Sequence, residues 1–370
     1  MERADFLIIG GGVAGLSAGA ALASHGKVVV LEAEQALGHH SSGRSATFSH
    51  YGIGNAVVRA LTMQSRAYFL DAEGGTLARR HPALFVANEE MRPALASLAE
   101  DMARYTDTLE EADEARMREL FPPLRFGGEA VVAGIAHPDG LRLDSDAILQ
   151  NYARSIRAGG GQVLNAQRVI AVRPEWTVET DGGQGWSAPI LINAAGAWAD
   201  QVAALAGVPS LGLKPLRRTI IVVDPPSGAV ARGWAFVKTA VDDFYILPEG
   251  ARLAASPVDE IESDPCDAQP EDYDIALAAW KVERYTTLSV ARIAHRWAGL
   301  RTFAADRTPV AGFDTAAPGF FWLAGQGGFG LQTAPAMAEA AAALVTGATW
   351  PKALAESGVA VDHLAPARLR

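Results

Sequence analysis

Asp5-Phe-Leu-Ile-Ile-Gly10-Gly-Gly-Val-Ala-Gly15-Leu-Ser-Ala-Gly-Ala-Ala-Leu-Ala stands near the start of the chain, and Lys27-Val-Val-Val-Leu-Glu32 follows it. The first apolar run reads as a buried strand, the small-residue stretch after Gly15 as a helix, and the second run as another buried strand, which together make a βαβ unit. Gly10, Gly12 and Gly15 form G-x-G-x-x-G at the strand-to-helix junction, and Glu32 closes the next strand. The first glycine makes the tight turn, the second lets backbone approach a pyrophosphate, and the third lets the helix pack on the strand. The helix N-terminus attracts the anion, while the Glu32 carboxylate suits a ribose diol. The spacing therefore predicts a dinucleotide held by Gly10, Gly12, Val13, Ala14, Gly15, Glu32 and Ala33.

Working outward, 370 residues suit two joined lobes, since single hydrophobic cores stop growing at about 250–300 residues. A net charge of −10 with no basic run argues against a nucleic-acid surface, which needs concentrated Lys and Arg. The single cysteine, Cys266, permits no intrachain disulfide, suits a reducing compartment and reads as a free surface thiol. The chain enters its first strand almost at once, without a signal-peptide pattern, and no apolar segment approaches the ~18–20 residues of a membrane span. The expected location is cytoplasmic, with no stable membrane insertion.

Helical spacing covers 55–72 and 89–105, and Leu141 to Gln150 begins another helix with Asp144 or Ser145 as its N-cap. Strand-like runs return at Val163 to Val172 and at Pro189 to Ala195, the second leading through Asn193-Ala-Ala-Gly-Ala-Trp198 into a helix N-terminus. From about 211 to 300 the texture changes to alternating strands around Thr219, Asp243 and Arg252, with one amphipathic helix near 270–285. The first texture then returns in Phe320-Phe-Trp-Leu-Ala and an Ala-rich helix over 332–345. We expect an α/β Rossmann-like nucleotide-binding domain assembled from 1–80, 140–210 and 305–370. A second lobe, α+β with an antiparallel sheet, is expected from 81–139 and 211–304. No repeat of 20–50 residues and no low-complexity linker interrupts the pattern.

The glycine triplet alone does not separate FAD from NAD. No second triplet follows a strand to serve a nicotinamide cofactor. Ala324-Gly-Gln-Gly-Gly-Phe-Gly330 instead opens a second helix, whose glycine-rich N-terminus suits an electron-rich flavin ring. FAD is therefore the expected cofactor.

Ile8 to Gly19, Ser42-Gly-Arg-Ser-Ala46, Asn193-Ala-Ala-Gly-Ala-Trp198, Trp297-Ala-Gly-Leu-Arg301 and Gly325-Gln-Gly-Gly-Phe-Gly-Leu-Gln332, in that order, resemble the D-amino-acid oxidase/glycine oxidase superfamily of FAD-dependent oxidoreductases. Within it the likeness is to bacterial FAD-dependent D-arginine dehydrogenases, and it runs from end to end. The resemblance implies noncovalent FAD and hydride transfer from the amino acid Cα to flavin N5. The imino acid would hydrolyse to a 2-oxo acid and ammonia, with oxygen or a quinone-type carrier taking the electrons. His39 and His40 lie where some relatives attach flavin covalently.

Carried over by motif, Arg218, Tyr245 and Arg301 would grip the substrate carboxylate. His50 and Tyr51 would lie on a loop over the substrate, with Gly328 and Gln332 beside flavin and substrate. Arg44, Ser45 and Ala46 would lie along the isoalloxazine. The remaining cofactor contacts implied are Val169, Ala195, Gly196, Trp198 and the run Gly327 to Gln332, including Phe329, Gly330 and Leu331. The residue types suit this independently, because guanidinium forks match carboxylates. Arg217 and Arg218 are adjacent on a strand and point oppositely, so only one faces the site; the resemblance selects Arg218. His50, with Ser49 and Gly54 nearby, suits either a moving lid or an exposed loop, and its imidazole would at most help remove the amine proton near pH 7.

Two departures bear on specificity. The strand His81-Pro-Ala-Leu-Phe-Val86 carries no carboxylate before Glu89, whereas the D-arginine enzymes place an acid there against the substrate guanidinium. A buried cation without its counter-charge costs several kcal/mol, so arginine is not the expected preference. Lys238 replaces an apolar pocket residue, so Leu84 and Lys238 join Gly328 as specificity positions and the expected substrates are neutral or acidic D-amino acids; the plain alternative is that Lys238 snorkels to solvent. No metal is expected. A sarcosine-, glycine- or proline-type amine oxidase is the alternative on the same fold, and a flavin-binding subunit without turnover is the alternative of another class.

Overall fold

The structure, a computed structural model, describes residues 1–71 and 77–370. The first sheet of the described residues takes the strand order Gln162–Leu164, Val28–Leu31, Phe6–Ile9, Ile190–Asn193, Phe320–Ala324, Val310–Phe313. All neighbours run parallel except the last pair. Every residue of Phe6–Ile9, Val28–Leu31 and Phe320–Ala324 is buried, as strands covered on both faces must be. The helices Val13–Leu22, Ser145–Ala158 and Gly330–Thr346 pack on one face with Ile8, Val30, Ile192 and Phe321. Leu7, Val29, Leu191 and Trp322 fill the other face, beneath Ala199–Leu205. This is the expected Rossmann-like arrangement.

The second large sheet runs Ile261–Glu262, Lys214–Val223, Arg252–Ser256, Tyr245–Glu249, Phe236–Thr239, Ala83–Ala87, Ala133–His137, Glu110–Ala112, and Ile293–Phe303 pairs along Lys214–Val223. Its pairs are antiparallel except Phe236–Thr239 with Ala83–Ala87, so the sheet expected as antiparallel is mixed at that seam. The helix Asp272–Tyr285 covers one face through Ile275, Ala278 and Val282, against Ile221, Val237, Ile246 and Ala255. The opposite face carries Ile220, Phe236, Tyr245 and Phe85 and turns toward the nucleotide-binding sheet.

Boundaries differ where local chemistry intervenes. The helix expected over 55–72 runs Ala56–Leu70, capped by Asn55, whose side chain accepts from Val58 N at 3.1 Å; residue 72 lies outside the described residues. The helix expected over 89–105 is Arg92–Met102. Leu141–Leu143 is a strand, and Asp144 caps the helix after it, accepting from Ala147 N at 2.9 Å. The run Val163 to Val172 is two strands of different sheets, broken near Ala166 at φ +53°. Cys266 is exposed, and no helix of the described residues is long and apolar enough to cross a membrane.

Candidate active site

The glycine junction is as tight as its spacing implies. Gly10 has φ +113°, and a Cβ there would strike the Ala194 carbonyl; a Cβ on Gly15 would strike the Gly10 carbonyl. Gly12 differs, because it faces a cavity in which a Cβ would meet only Ser42 Oγ, at 3.4 Å. Gly12 is also the N-cap of Val13–Leu22, a helix with no side-chain cap of its own and no acid in its first turn. One first-turn donor, Val13 N, reaches Ser42 Oγ at 3.0 Å. These donors and the positive helix end form an anion seat.

Glu32 stands at one end of the cavity. Its carboxylate accepts from Gly11 N at 2.7 Å and Glu34 N at 2.8 Å, which fixes the carboxylate and leaves lone pairs for a diol. Burial raises its pKa above the usual carboxylate value, against those backbone bonds. The cavity, about 410 Å³, continues past Ala195, Gly196 and Trp198 to Arg301, Gly327 and Gly328. Ala33, Ala14, Arg44, Ser45, Val169, Gly330 and Leu331 also line it. An elongated cleft with an acid placed for a diol at one end, a helix N-terminus free of acidic residues in the middle and glycine backbone at the other fits FAD.

Several expected contacts lie behind the wall. Gly15 packs on Gly10. Ala46 joins the aromatic cluster of the second sheet. Phe329 packs edge-on against Phe303 at 5.8 Å. Gln332 spans the interior, donating to Thr62 Oγ1 at 2.8 Å and accepting from His50 N at 3.4 Å. It therefore positions the His50 backbone instead of lining the cavity. Residues not anticipated as contacts take their place: Ser41 bonds the Leu300 carbonyl, Ser42 meets the helix N-terminus, and Gln167, Thr302 and Gln326 line the cleft. The hydroxyl pair before Gly43 was the available signal. Glu34, His39 and His40 also reach the cleft and bring three ligand-type atoms within 4.8 Å of one another. Arg168 and Arg44 are bonded to Glu34 and His39, so the group is a charged wall.

Strand register settles which basic residues face the cavity. Leu216 pairs with Arg301 and Arg218 with Gly299; alternation then places Arg218, Arg301 and Ile220 on one face. Tyr245 pairs with Ser256 and Lys238 with Tyr245, extending that face. Arg217 turns to the other side and bonds Asp274 at 2.9 Å and Glu271. Leu84 does likewise and packs under Asp272–Tyr285 with Val86 and Val237. Leu84, expected as a specificity position, therefore points away from the face of Arg218 and Tyr245, and the period-two alternation puts its neighbour Phe85 on that face.

Arg218 and Arg301 reach the cavity together. Arg218 is 4% exposed; its Nε donates to the Asp259 carbonyl at 2.8 Å and Nη2 to Glu260 at 3.1 Å, while Nη1 has no partner among the described residues. Burial, and then the Arg301 guanidinium, push its pKa down to about 10. The Tyr245 hydroxyl is likewise buried without a partner. Arg301 packs across Gly328, where a Cβ would come within 2.8 Å of Nη1.

His50 and Tyr51 are buried, not exposed loop residues, and their segment is pinned. Gly52 N donates to His50 Nδ1 at 3.0 Å, Arg59 Nε to the Tyr51 carbonyl at 2.9 Å, and Lys238 Nζ to the Gly52 carbonyl at 2.9 Å. The His50 ring sits among Phe48, Phe85 and Phe236 at 5.9, 5.4 and 5.1 Å. Burial, and then Lys238, hold its pKa well below the ordinary histidine value. With Nδ1 accepting, neutral His50 carries its proton on Nε2. The expected titration near pH 7 is therefore not found: burial among the aromatic rings disfavours the charged imidazolium. Tyr51 packs on Tyr105 and His137 at 5.9 and 5.5 Å.

A family model described as FAD dependent oxidoreductase matches residues 5–344. Peroxisomal sarcosine oxidase of Mus musculus is 27% identical over 225 residues, which cover 58% of this chain and 55% of that protein. The chain spans about half the length of the curated relatives it matches first. The fold is that of L-proline dehydrogenase from P. horikoshii, with a TM-score of 0.85 at 21% identity over 99% of this chain and 98% of that one. It is also that of L-α-glycerophosphate oxidase from Mycoplasma pneumoniae, solved with FAD bound, with a TM-score of 0.81 at 19% identity over 94% and 95% of the two chains.

Proposed function

The chain belongs to the FAD dependent oxidoreductase family, and from that premise we propose that it oxidises the C–N bond of a small D-amino acid, held noncovalently against FAD. Bound FAD would supply the two-electron acceptor for the hydride leaving Cα, and water would convert the resulting imino acid to a 2-oxo acid and ammonia. The observation that carries this reading is the buried, partnerless pair of Arg218 Nη1 and the Tyr245 hydroxyl beside Arg301. Such donors cost about 1–3 kcal/mol each while unmatched, and an α-carboxylate satisfies both together.

The chain's own groups divide the work. Arg218, Arg301 and Tyr245 fix the carboxylate and so orient Cα; the aromatic wall of Phe85 and Phe236 excludes water. Lys238 and Gln332 hold the His50–Gly52 segment over the site. Among the described residues the buried carboxylates beside this sheet, Asp259 and Asp274, are committed to Thr219 and Arg217, so the amine is taken up neutral or releases its proton to solvent. Lobe assignment follows the same division: 1–80, 140–210 and 305–370 bind the cofactor, 81–139 and 211–304 the substrate.

A second reading, oxidation of sarcosine, glycine or proline, is supported by the names of a relative and a structural neighbour. Anaerobic mixing of the yellow protein with D-amino acids, L-amino acids, sarcosine and proline decides between them. We expect the ~450 nm flavin band to bleach with D-amino acids. Bleaching only by L-amino acids, sarcosine or proline overturns the D-amino-acid reading, and no bleaching by any of them leaves a flavin-binding subunit.

A further inference from the structure

The site holds one more cation than a single carboxylate requires. Lys238 is paired directly with Tyr245 on the adjacent strand, so the two side chains leave the same face side by side, the face that also carries Arg218 and Arg301. The Lys238 side chain is 3% exposed, which removes the snorkelling alternative. Nζ donates to the Gly52 carbonyl at 2.9 Å and lies 3.2 Å from Asp242 Oδ1. An ammonium has three donors, and one is uncommitted among the described residues.

Anchoring Gly52 does not by itself explain a buried charge, since a neutral amide would hold a carbonyl without the desolvation cost of an ion. Asp242 offsets that cost only in part, because its side chain is 39% exposed and its field is screened. The neighbouring acids are committed elsewhere: Asp259 accepts from Thr219 N and Oγ1 at 2.7 and 2.9 Å, and Glu260 serves Arg218 and Arg307. The acids that line the cleft, Glu32 and Glu34, stand at its opposite end. Strand order and register set the span: Lys238, Tyr245 and Ser256 are in register across three strands, and Arg218 lies on the fourth, two residues along from that row, about 16 Å from Lys238 backbone to backbone. Two long side chains reaching inward close most of that distance and leave room for a short ligand with an anion at each end.

We propose that Lys238 receives a second carboxylate, the one ending a short substrate side chain, so the preferred substrates are dicarboxylic amino acids of the aspartate or glutamate type. The proposal rests on the reading of Arg218, Tyr245 and Arg301 as the grip on the α-carboxylate.

The test uses the FAD-loaded protein and acid–amide pairs, aspartate against asparagine and glutamate against glutamine. The ratio of kcat/KM within each pair is expected to favour the acid by about tenfold or more, the scale of one charge-assisted hydrogen bond. Lys238→Met should bring the ratio to one or below. Because that variant also frees Gly52, Asp242→Asn supplies the opposite arm: removing the competing carboxylate should raise the ratio. An amide equal to its acid in the unmodified protein, or a ratio unmoved by either variant, overturns the proposal. Binding is read separately by titrating the flavin spectrum with succinate and with butyrate. Tighter succinate binding that Lys238→Met abolishes supports the second anion site even if no amino acid bleaches the flavin, which would count against C–N oxidation alone. Equal affinities overturn the second anion site.

Discussion

Arg218 Nη1 and the Tyr245 hydroxyl are both fully buried and both without a hydrogen-bond partner among the described residues, on one face of one sheet. Buried polar groups are almost always satisfied, and these two orphans on one face are the groups that the proposed substrate carboxylate would satisfy. Arg218 keeps its charge there because its pKa, though pushed down to about 10, remains above neutral pH.

Tyr245→Phe removes a hydroxyl that bonds nothing among the described residues. Stability should stay the same or rise by about 1 kcal/mol, while KM for the amino acid rises about tenfold with kcat less affected. Urea unfolding beside steady-state kinetics separates the two effects, and a large loss of stability would show that the hydroxyl is bonded after all.

Arg301→Gln should divide in the same way. Arg301 is half-buried and makes no protein ion pair among the described residues, so unfolding free energy should change by about 0.5 kcal/mol or less. Loss of a charged partner for a buried carboxylate should lower kcat/KM by about 10²–10³-fold. A change below tenfold would remove Arg301 from the grip.

Gly15→Ala places a Cβ against the Gly10 carbonyl and must push the helix Val13–Leu22 away from its strand. The protein should fold, since this helix is one of several on the sheet, but FAD affinity should fall at least about tenfold as the helix N-terminus leaves the pyrophosphate. The ratio of flavin to protein absorbance after dialysis reads this directly.

His137 governs a pH effect. Burial, and then Arg66, lower its pKa to about 4, and neither ring nitrogen has a partner among the described residues. A histidine whose folded pKa is depressed contributes stability that is complete above about pH 6.5 and is lost as pH falls toward about 4, at up to about 1.4 kcal/mol per pH unit. His50 and His81 act in the same direction, His81 also at about 4. Unfolding free energy should therefore fall steeply between about pH 6.5 and 4. His137→Leu should reduce that slope by one proton and stabilise the protein at neutral pH by about 1–3 kcal/mol; an unchanged slope would mean that His137 titrates normally.

The nucleotide fingerprint was legible because its chemistry is local. Three glycines and one acid within about two dozen residues fix a turn, a helix end and a hydrogen-bond acceptor, and the flanking apolar runs show both strands buried. The choice of one arginine from the Arg217–Arg218 pair was half legible: strand alternation required opposite faces, but not which faced the ligand. Leu84 shows where this reading failed, since a one-residue error of register inverts the face, and only the pairing of Phe236–Thr239 with Ala83–Ala87 set it. The burial of His50 was not legible for a similar reason: Ser49 and Gly54 beside it suit a lid or an exposed loop, whereas Phe85 and Phe236 from distant strands join the neighbouring Phe48 around its ring.

By itself, then, the sequence determined that a dinucleotide sits at the first βαβ unit and that the second lobe is built from strands. Tertiary structure alone decided that Lys238, Tyr245, Arg218 and Arg301 share one face, that Gln332 bonds Thr62 and the His50 backbone, and that His50 is buried with Nδ1 accepting from Gly52 N. The division follows from range: turn and cap chemistry acts within a single turn or helix end, whereas burial, orphaned donors and shifted proton affinities depend on which separate strands, as near in the chain as those of Lys238 and Tyr245 or as far as those of Arg218 and Arg301, come to lie side by side.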